Sequence, residues 1–301
     1  MIFQTNDDFD LDKIADSGQC FRWEKTNAQT YRIIAADKCL YISVSGNGRF
    51  EVDCTDAEFT DYWFDYFDLR ENYRHIRERI DAKEDPFLYQ ACEHEKGIRI
   101  LRQDPWEILI SFIISQNKNI PAIRRSIALL CEACGELKTD SRDLPYYAFP
   151  SPAALLALDG ACLRKCSLGY RCGYVHAAAA AVAGSKSNRE LLHNAIDVDG
   201  TDGVDNAEDA KGSIDLEVLK DANNDEAIHA LTSLYGVGIK VASCVSLFGL
   251  HHLDAFPVDV WMKRILENEY PCGYPADKYS HYNGVYQQYM FAFYRRNYPD
   301  K

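Results

Sequence analysis

The sequence is poor in several features, and each shortage narrows what it encodes. No run of about 18 apolar residues occurs in the 301-residue chain, so no membrane-crossing helix is expected. The opening residues, Met1-Ile2-Phe3-Gln4-Thr5-Asn6-Asp7-Asp8, lack the basic start and apolar core of a secretion signal, and a cytoplasmic location is expected. Positive charge is scarce: 33 lysines and arginines face 46 acids, for a net charge of −13. Taken over the whole chain, that balance argues against nucleic acid as a partner. No internal repeat is visible. The eleven cysteines are odd in number and irregular in spacing, which predicts reduced, mostly buried thiols. Cys162, Cys166 and Cys172 do not have the spacing of a zinc site.

The acidity is local. Residues 197–226 carry eleven acids against Lys211 and Lys220, a charge of −9, which leaves −4 for the rest. A local field decides contact with a polyanion, so the global objection weakens. Asp197-Val198-Asp199-Gly200-Thr201-Asp202 invites a calcium-loop reading. Counted from Asp197, however, Asp202 stands where such a loop needs glycine. The stretch 197–212 is expected to be a solvated acidic insertion.

With 47% hydrophobic and 26% charged residues, the chain suits a globular protein of two or three structural units. Residues 9–55 read as an antiparallel sheet. Tyr31–Ala35 and Leu40–Val44 are strands, and Ser45-Gly46-Asn47-Gly48 is a hairpin turn. Thr55-Asp56-Ala57-Glu58 is a helix cap ahead of an aromatic core run, Tyr62 to Phe67. Helices are expected at Tyr73–Ala82, Pro86–His94, Asp104/Pro105–Ile114, Pro121–Cys134, Ala153–Ala157 and Tyr174–Ala183. Pro145–Pro152 is expected to be a loop. Further helices are expected at Val258–Glu267 and Tyr279–Arg296. The fold class is therefore α+β, with an antiparallel sheet domain over residues 1–71 and an all-helical domain over 72–301.

One stretch organises the helical part. An apolar helix from Ala227 to Leu234 stops at Tyr235-Gly236-Val237-Gly238, and a second, Ile239 to Phe248, starts at once. Two glycines two apart permit left-handed backbone and a tight turn. They also leave amide N–H groups uncovered at a helix N-terminus, where a phosphate can approach. This is a helix-hairpin-helix, a form that holds a DNA backbone without reading sequence. Lys240 falls about two residues into the second helix. The positive helix end and the apolar neighbours Val241, Ala242 and Val245 disfavour its charge, which favours a nucleophilic amine. A lysine that only helps hold phosphate is the plainer alternative. Asp259 follows Pro257 at an expected N-cap, where the carboxylate stays ionised. Beyond capping, an anion there would stabilise a ribosyl oxocarbenium ion.

Several separated blocks, in order, carry a resemblance. They are Ser17-Gly18-Gln19-Cys20-Phe21-Arg22-Trp23, Arg102-Gln103-Asp104-Pro105, Ser115-Gln116-Asn117-Lys118-Asn119-Ile120, Leu168-Gly169-Tyr170-Arg171, Gly236-Val237-Gly238-Ile239-Lys240-Val241-Ala242 and Pro257-Val258-Asp259-Val260. The chain resembles the 8-oxoguanine DNA glycosylases of the helix-hairpin-helix superfamily, from about Leu11 to the last helix.

The resemblance implies a role for each matched position. Lys240 would be the Schiff-base nucleophile and Asp259 the catalytic carboxylate. The Gly18 carbonyl would accept from N7–H of the oxidised base, a hydrogen that guanine lacks. Facing guanine's N7 lone pair, that acceptor would cost roughly 1–3 kcal/mol. Cys244 would stack on the extruded base or serve as a core thiol. Phe112, Pro257 and Phe291 would line the base pocket, with simple packing the alternative for Phe291. Asn117 would fill the gap in the duplex, Tyr170 would wedge the stack, and Arg171 would read the orphan cytosine. Extrusion is required because the glycosidic carbon is inaccessible within the stack. Gly236, Gly238 and Val241 would meet the DNA backbone. The carbonyls of Thr232, Leu234 and Val237 match positions that hold a monovalent cation. No other cofactor is implied. After Cys244 only Cys272 remains, so the four closely spaced cysteines of iron–sulfur relatives are missing. The implied partner is damaged double-stranded DNA, with no membrane, met by a monomer.

Two departures stand out. Tyr235 occupies the position of a proline common in relatives, and Ala122 occupies that of an arginine which reads the orphan cytosine in eukaryotic members. A weak preference for cytosine opposite the lesion is therefore expected. Two other readings fit less well. An alkylpurine enzyme of this fold usually lacks the lysine, and a non-catalytic DNA-binding module leaves Lys240 and Asp259 unexplained.

Overall fold

The computed structural model describes residues 1–184 and 213–298. The acidic stretch 197–212 and its calcium reading lie outside the described residues. The chain falls into two compact units, one of Met1–Ile33, Leu40–Gln103 and Ser246–Lys301, the other of Ile34–Cys39 and Asp104–Val245. Helices on both sides of the second unit's sequence belong with the sheet in the first unit.

In the first unit, five antiparallel strands lie in the order β1 (Ile2–Gln4), β5 (Arg49–Val52), β4 (Lys38–Gly46), β3 (Thr30–Ala35), β2 (Trp23–Lys25). Ile2 pairs with Glu51, Ile42 with Val52 and Trp23 with Ile33. Burial alternates along β5, where Phe50 and Val52 face the core and Arg49 and Glu51 face solvent. The rings of Phe3, Phe9, Phe50, Phe59 and Phe67 pack together beneath it. Two elements escaped the sequence reading: strand β1, and helix α1 (Leu11–Asp16) inside the stretch expected to be all sheet. Asp10 caps α1 by accepting from Lys13 N. Thr55 caps the next segment as expected, and the aromatic run continues through α2 (Asp56–Glu58), a π-helical turn (Phe59–Trp63) and α3 (Phe64–Tyr66).

Arg99 ties this unit together. It is 1% exposed, and its guanidinium donates to Asp7 Oδ2 and to the carbonyls of Asp8, Phe67, Asp68 and Glu71 while stacking 4.2 Å from the Tyr73 ring. All the nitrogens of a buried cation are thereby satisfied. Asp68, equally buried, accepts from Tyr73 Oη and Arg102 Nε and pairs with His251 at 3.2 Å. Burial opposes its charge, but the His251 and Arg102 interactions prevail and hold its carboxyl below the usual range. Helices α4 (Tyr73–Glu78) and α5 (Pro86–His94) follow. The later α14 (Val260–Glu269) and α15 (Asn283–Asn297) complete the unit, and α15 packs on α5. The last helix begins four residues later than expected, because turns at 276–282 and a left-handed His281 intervene.

The second unit is mostly helical. Asp104 caps α6 (Pro105–Ser115), with Pro105 in the first turn, as the sequence predicts. Asn119 caps α7 (Ile120–Cys134). A small hairpin, β6 (Leu137–Thr139) with β7 (Pro145–Tyr147), stands where a loop was expected. It is held by Lys138 and Tyr146 bonding to Asp37. Helices α8 (Pro152–Leu156), α9 (Gly160–Lys165), α10 (Arg171–Val182), α11 (Leu216–Lys220), α12 (Asn224–Thr232) and α13 (Ile239–Phe248) complete the order. The last two are the expected hairpin pair. No disulfide joins the eleven cysteines. Among the described residues no helix is long and apolar enough to cross a membrane.

Candidate active site and DNA-facing loops

The hairpin lies in the second unit. Asn223 and Glu226 form a capping box at the start of α12, and Val237 N closes the turn on the Leu234 carbonyl at 3.1 Å. Of the hairpin's two glycines, only one takes left-handed backbone. Gly236 has φ +78°, and a Cβ there would lie 2.2–2.5 Å from the Tyr174 ring. Gly238 is exposed, and a Cβ there would meet nothing within 4 Å. The two glycines thus serve different ends, close approach to a ring and an uncovered amide. Ile239 is 73% exposed beside it, an apolar side chain left in water at the hairpin tip.

Lys240 is half-buried on the first turn of α13. Its Nζ lies 5.3 Å from the centroid of the Phe112 ring, which is itself 4% exposed. Within its own unit no described carboxylate pairs with it. Val241 and Cys244 are buried on the same helix.

Three loops of this unit are joined. The Gln116 amide donates to the Gly236 carbonyl at 3.1 Å, and the Gln116 carbonyl accepts from Arg171 Nε at 2.8 Å and from Nη2. Arg171 Nη1 donates to Leu168 O, and its guanidinium stacks 4.3 Å from the Tyr170 ring. Lys118 donates to Ser126 Oγ and Ser167 O. Burial and the neighbouring Arg171 lower its pKa. Tyr170 meets Tyr174 edge-on, and Tyr174 meets Tyr235 in the same way. Asn117, left-handed at φ +50°, and Tyr170, 44% exposed, project from this cluster. Arg171 does not project. It is 6% exposed, with most of its donors spent on loop carbonyls.

Asp259, in the first unit, caps α14. Both cap bonds, from Trp261 N at 3.0 Å and Met262 N at 2.8 Å, land on Oδ1. Oδ2 has no partner among the described residues. Pro257 is buried behind it. In the same unit Gly18 sits at φ +84°, and a Cβ there would stand 3.6 Å from the Phe291 ring. Gln287, one helical turn before Phe291, was passed over in the sequence. It is 4% exposed, and its Oε1 is buried without a partner. The available signal was the i, i+4 spacing of an amide and an aromatic residue.

Two family models match: 8-oxoguanine DNA glycosylase, N-terminal domain, over residues 1–109, and HhH-GPD superfamily base excision DNA repair protein over residues 110–279. The N-glycosylase/DNA lyase of Saccharomyces cerevisiae is 30% identical over 86% of this chain and 68% of its own length. The chain belongs to the 8-oxoguanine DNA glycosylase family of the HhH-GPD superfamily. A second relative, N-glycosylase/DNA lyase OGG1 of Arabidopsis thaliana, is 28% identical over 84% of the chain and 64% of its own length. The chain thus spans about two-thirds of these curated proteins. The Clostridium acetobutylicum 8-oxoguanine glycosylase/lyase, solved with double-stranded DNA containing cytosine opposite 8-oxoG, superposes with TM-score 0.80. It is 30% identical, covering 99% of this chain and 98% of that one.

Proposed function

We propose that this chain is a bifunctional DNA glycosylase/lyase that excises 8-oxoguanine from duplex DNA, acting as a single chain in the cytoplasm. The observation that carries the reading is Lys240. It is a half-buried amine on the first turn of the hairpin's second helix, set against the Phe112 ring and without a described carboxylate partner in its unit. Lys240 Nζ attacks C1′ of the damaged nucleotide, and the C1′–N9 bond breaks with its electron pair leaving on the base. Loss of a proton from nitrogen and opening of the sugar ring give an imine. β-Elimination then breaks the bond to the 3′ phosphate. Oδ2 of Asp259, left over from the cap, stabilises the positive charge that develops at C1′. In the hairpin's unit Phe112 and Cys244 are the groups offered to the extruded base; in the other unit Pro257 and Phe291 are, and there the Gly18 carbonyl reads N7–H.

Asn117 and Tyr170 enter the duplex, while the amides around Gly236, Gly238 and Val241 hold a phosphate. The carbonyls of Thr232, at the end of α12, and of Leu234 and Val237, in the turn after it, would offer neutral oxygen donors of the kind that suit a hard monovalent cation. Such an ion would add positive charge beside that phosphate. No iron–sulfur cluster is part of this reading.

Borohydride trapping on an 8-oxoguanine duplex tests it. A covalent adduct should form with the parent and vanish in Lys240→Gln. An adduct that survives the substitution would overturn the assignment.

A further inference from the structure

The Gly18 loop is held by two glutamines that no functional reading has so far used. The Ser17 carbonyl accepts from Gln288 Nε2 at 3.2 Å, and the Gln19 carbonyl accepts from Gln103 Nε2 at 2.9 Å. Between them, the Gly18 carbonyl accepts from nothing among the described residues. Ser17 and Gln19 are fully buried, whereas Gly18 is partly open. The Gln19 side chain adds a third restraint, donating to Ser17 Oγ and Arg99 O and accepting from Leu101 N. A carbonyl can only accept, so the Gln288 and Gln103 amides must turn their NH₂ groups towards it. For Gln288 this leaves Oε1 buried with no partner, in a side chain 3% exposed. Leaving a buried acceptor unpaired is unfavourable, and an arrangement that keeps one usually serves something else.

We propose that Gln103 and Gln288 are positioning residues that aim the Gly18 carbonyl, and so set discrimination between the oxidised and the normal base. This rests on the reading of Gly18 given under Proposed function. By taking the carbonyls on either side, the two amides fix the Ser17–Gly18 and Gln19–Cys20 peptide planes, the ones immediately before and after the plane that carries the Gly18 oxygen. A glycine at φ +84° has no side chain to hold its own plane, so restraint from its neighbours decides where its oxygen points. Discrimination through one hydrogen bond depends steeply on that direction.

The test uses Gln103→Met and Gln288→Met, which keep side-chain length and remove the donor. Two measurements are made on the full chain. The first is binding to duplexes with a non-cleavable 2′-fluoro 8-oxoguanine or 2′-fluoro guanine nucleotide. The parent's preference should fall at least about fivefold in either variant, while borohydride trapping on a preformed abasic site, which holds no base to read, stays within about twofold. The second is amide hydrogen exchange of residues 18–20 without DNA, which should quicken about tenfold or more in both variants. An unchanged preference in stably folded variants, equal losses on base and abasic substrates, or unchanged exchange would each overturn the proposal. A parent with no preference for the oxidised base would overturn the functional reading instead, and the exchange measurement would still decide whether the amides restrain Gly18.

Discussion

At the scale of single residues, Asp259 divides its work between its two oxygens. Oδ1 accepts both cap bonds, and Oδ2 accepts none from the described residues. Asp259→Asn keeps an oxygen for the cap and removes the charge. Its melting temperature should therefore stay within a few degrees of the parent, while excision slows by about 10²-fold or more. Single-turnover excision beside a thermal melt checks this, and a large fall in melting temperature would count against the division. Arg171 illustrates the reverse. The resemblance makes it a reader of the orphan cytosine, but its guanidinium is buried and bonded to Gln116 and Leu168. With Ala122 unable to read the cytosine, opposite-base choice has little to stand on. Arg171→Ala should slow excision by a similar factor opposite cytosine and opposite adenine, through loosening of the Asn117 loop. Rates on the two duplexes check it, and a loss confined to cytosine would restore the reading role.

At the scale of elements, the hairpin depends on Tyr174 lying beneath Gly236. Gly236→Ala would need left-handed backbone at a residue with a side chain and would drive its Cβ into the ring. A loss of about 2 kcal/mol or more is expected, with duplex binding lost alongside it. Denaturant unfolding and a binding titration measure both. The sequence announced this element well, because glycine spacing and apolar runs are local signals. Asp104-Pro105 and Thr55 marked helix starts for the same reason: a cap is written within four residues. Strand β1 and the β6–β7 hairpin were not legible. Each strand is only three residues long; β1 pairs with Arg49–Glu51 far along the chain, and β6 and β7, though they pair with one another, are anchored by Asp37 far earlier in the chain. The burial of Arg171 was hidden too, since the acceptor that satisfies it is a carbonyl 55 residues earlier. The bonds at Gly18 come from residues 103 and 288, at separations no local pattern reports.

At the scale of the whole molecule, acid should unfold the chain partly through its buried carboxylates. The folded pKa of Asp68 lies below its ordinary value because His251 and Arg102 outweigh burial, and that of Asp7 is lowered by the Arg74 amide and Arg99. A lowered folded pKa contributes stability above the unfolded value, near 4, and that contribution is lost as pH falls through the folded one. Asp68→Asn should cost about 3 kcal/mol at pH 7, and the gap from the parent should close progressively below about pH 4. Urea unfolding across pH 2–7 checks the sign. A gap that widened in acid would contradict it.

The link between Ser17 and Gln288 has a consequence for how the protein comes into being. Synthesis runs from the first of these residues to the second, and Lys240 emerges before Gln288 does. On the roles proposed for them, a ribosome-bound chain would own its amine while its means of choosing a base was still unfinished, and competence to discriminate would arrive only with the final helix.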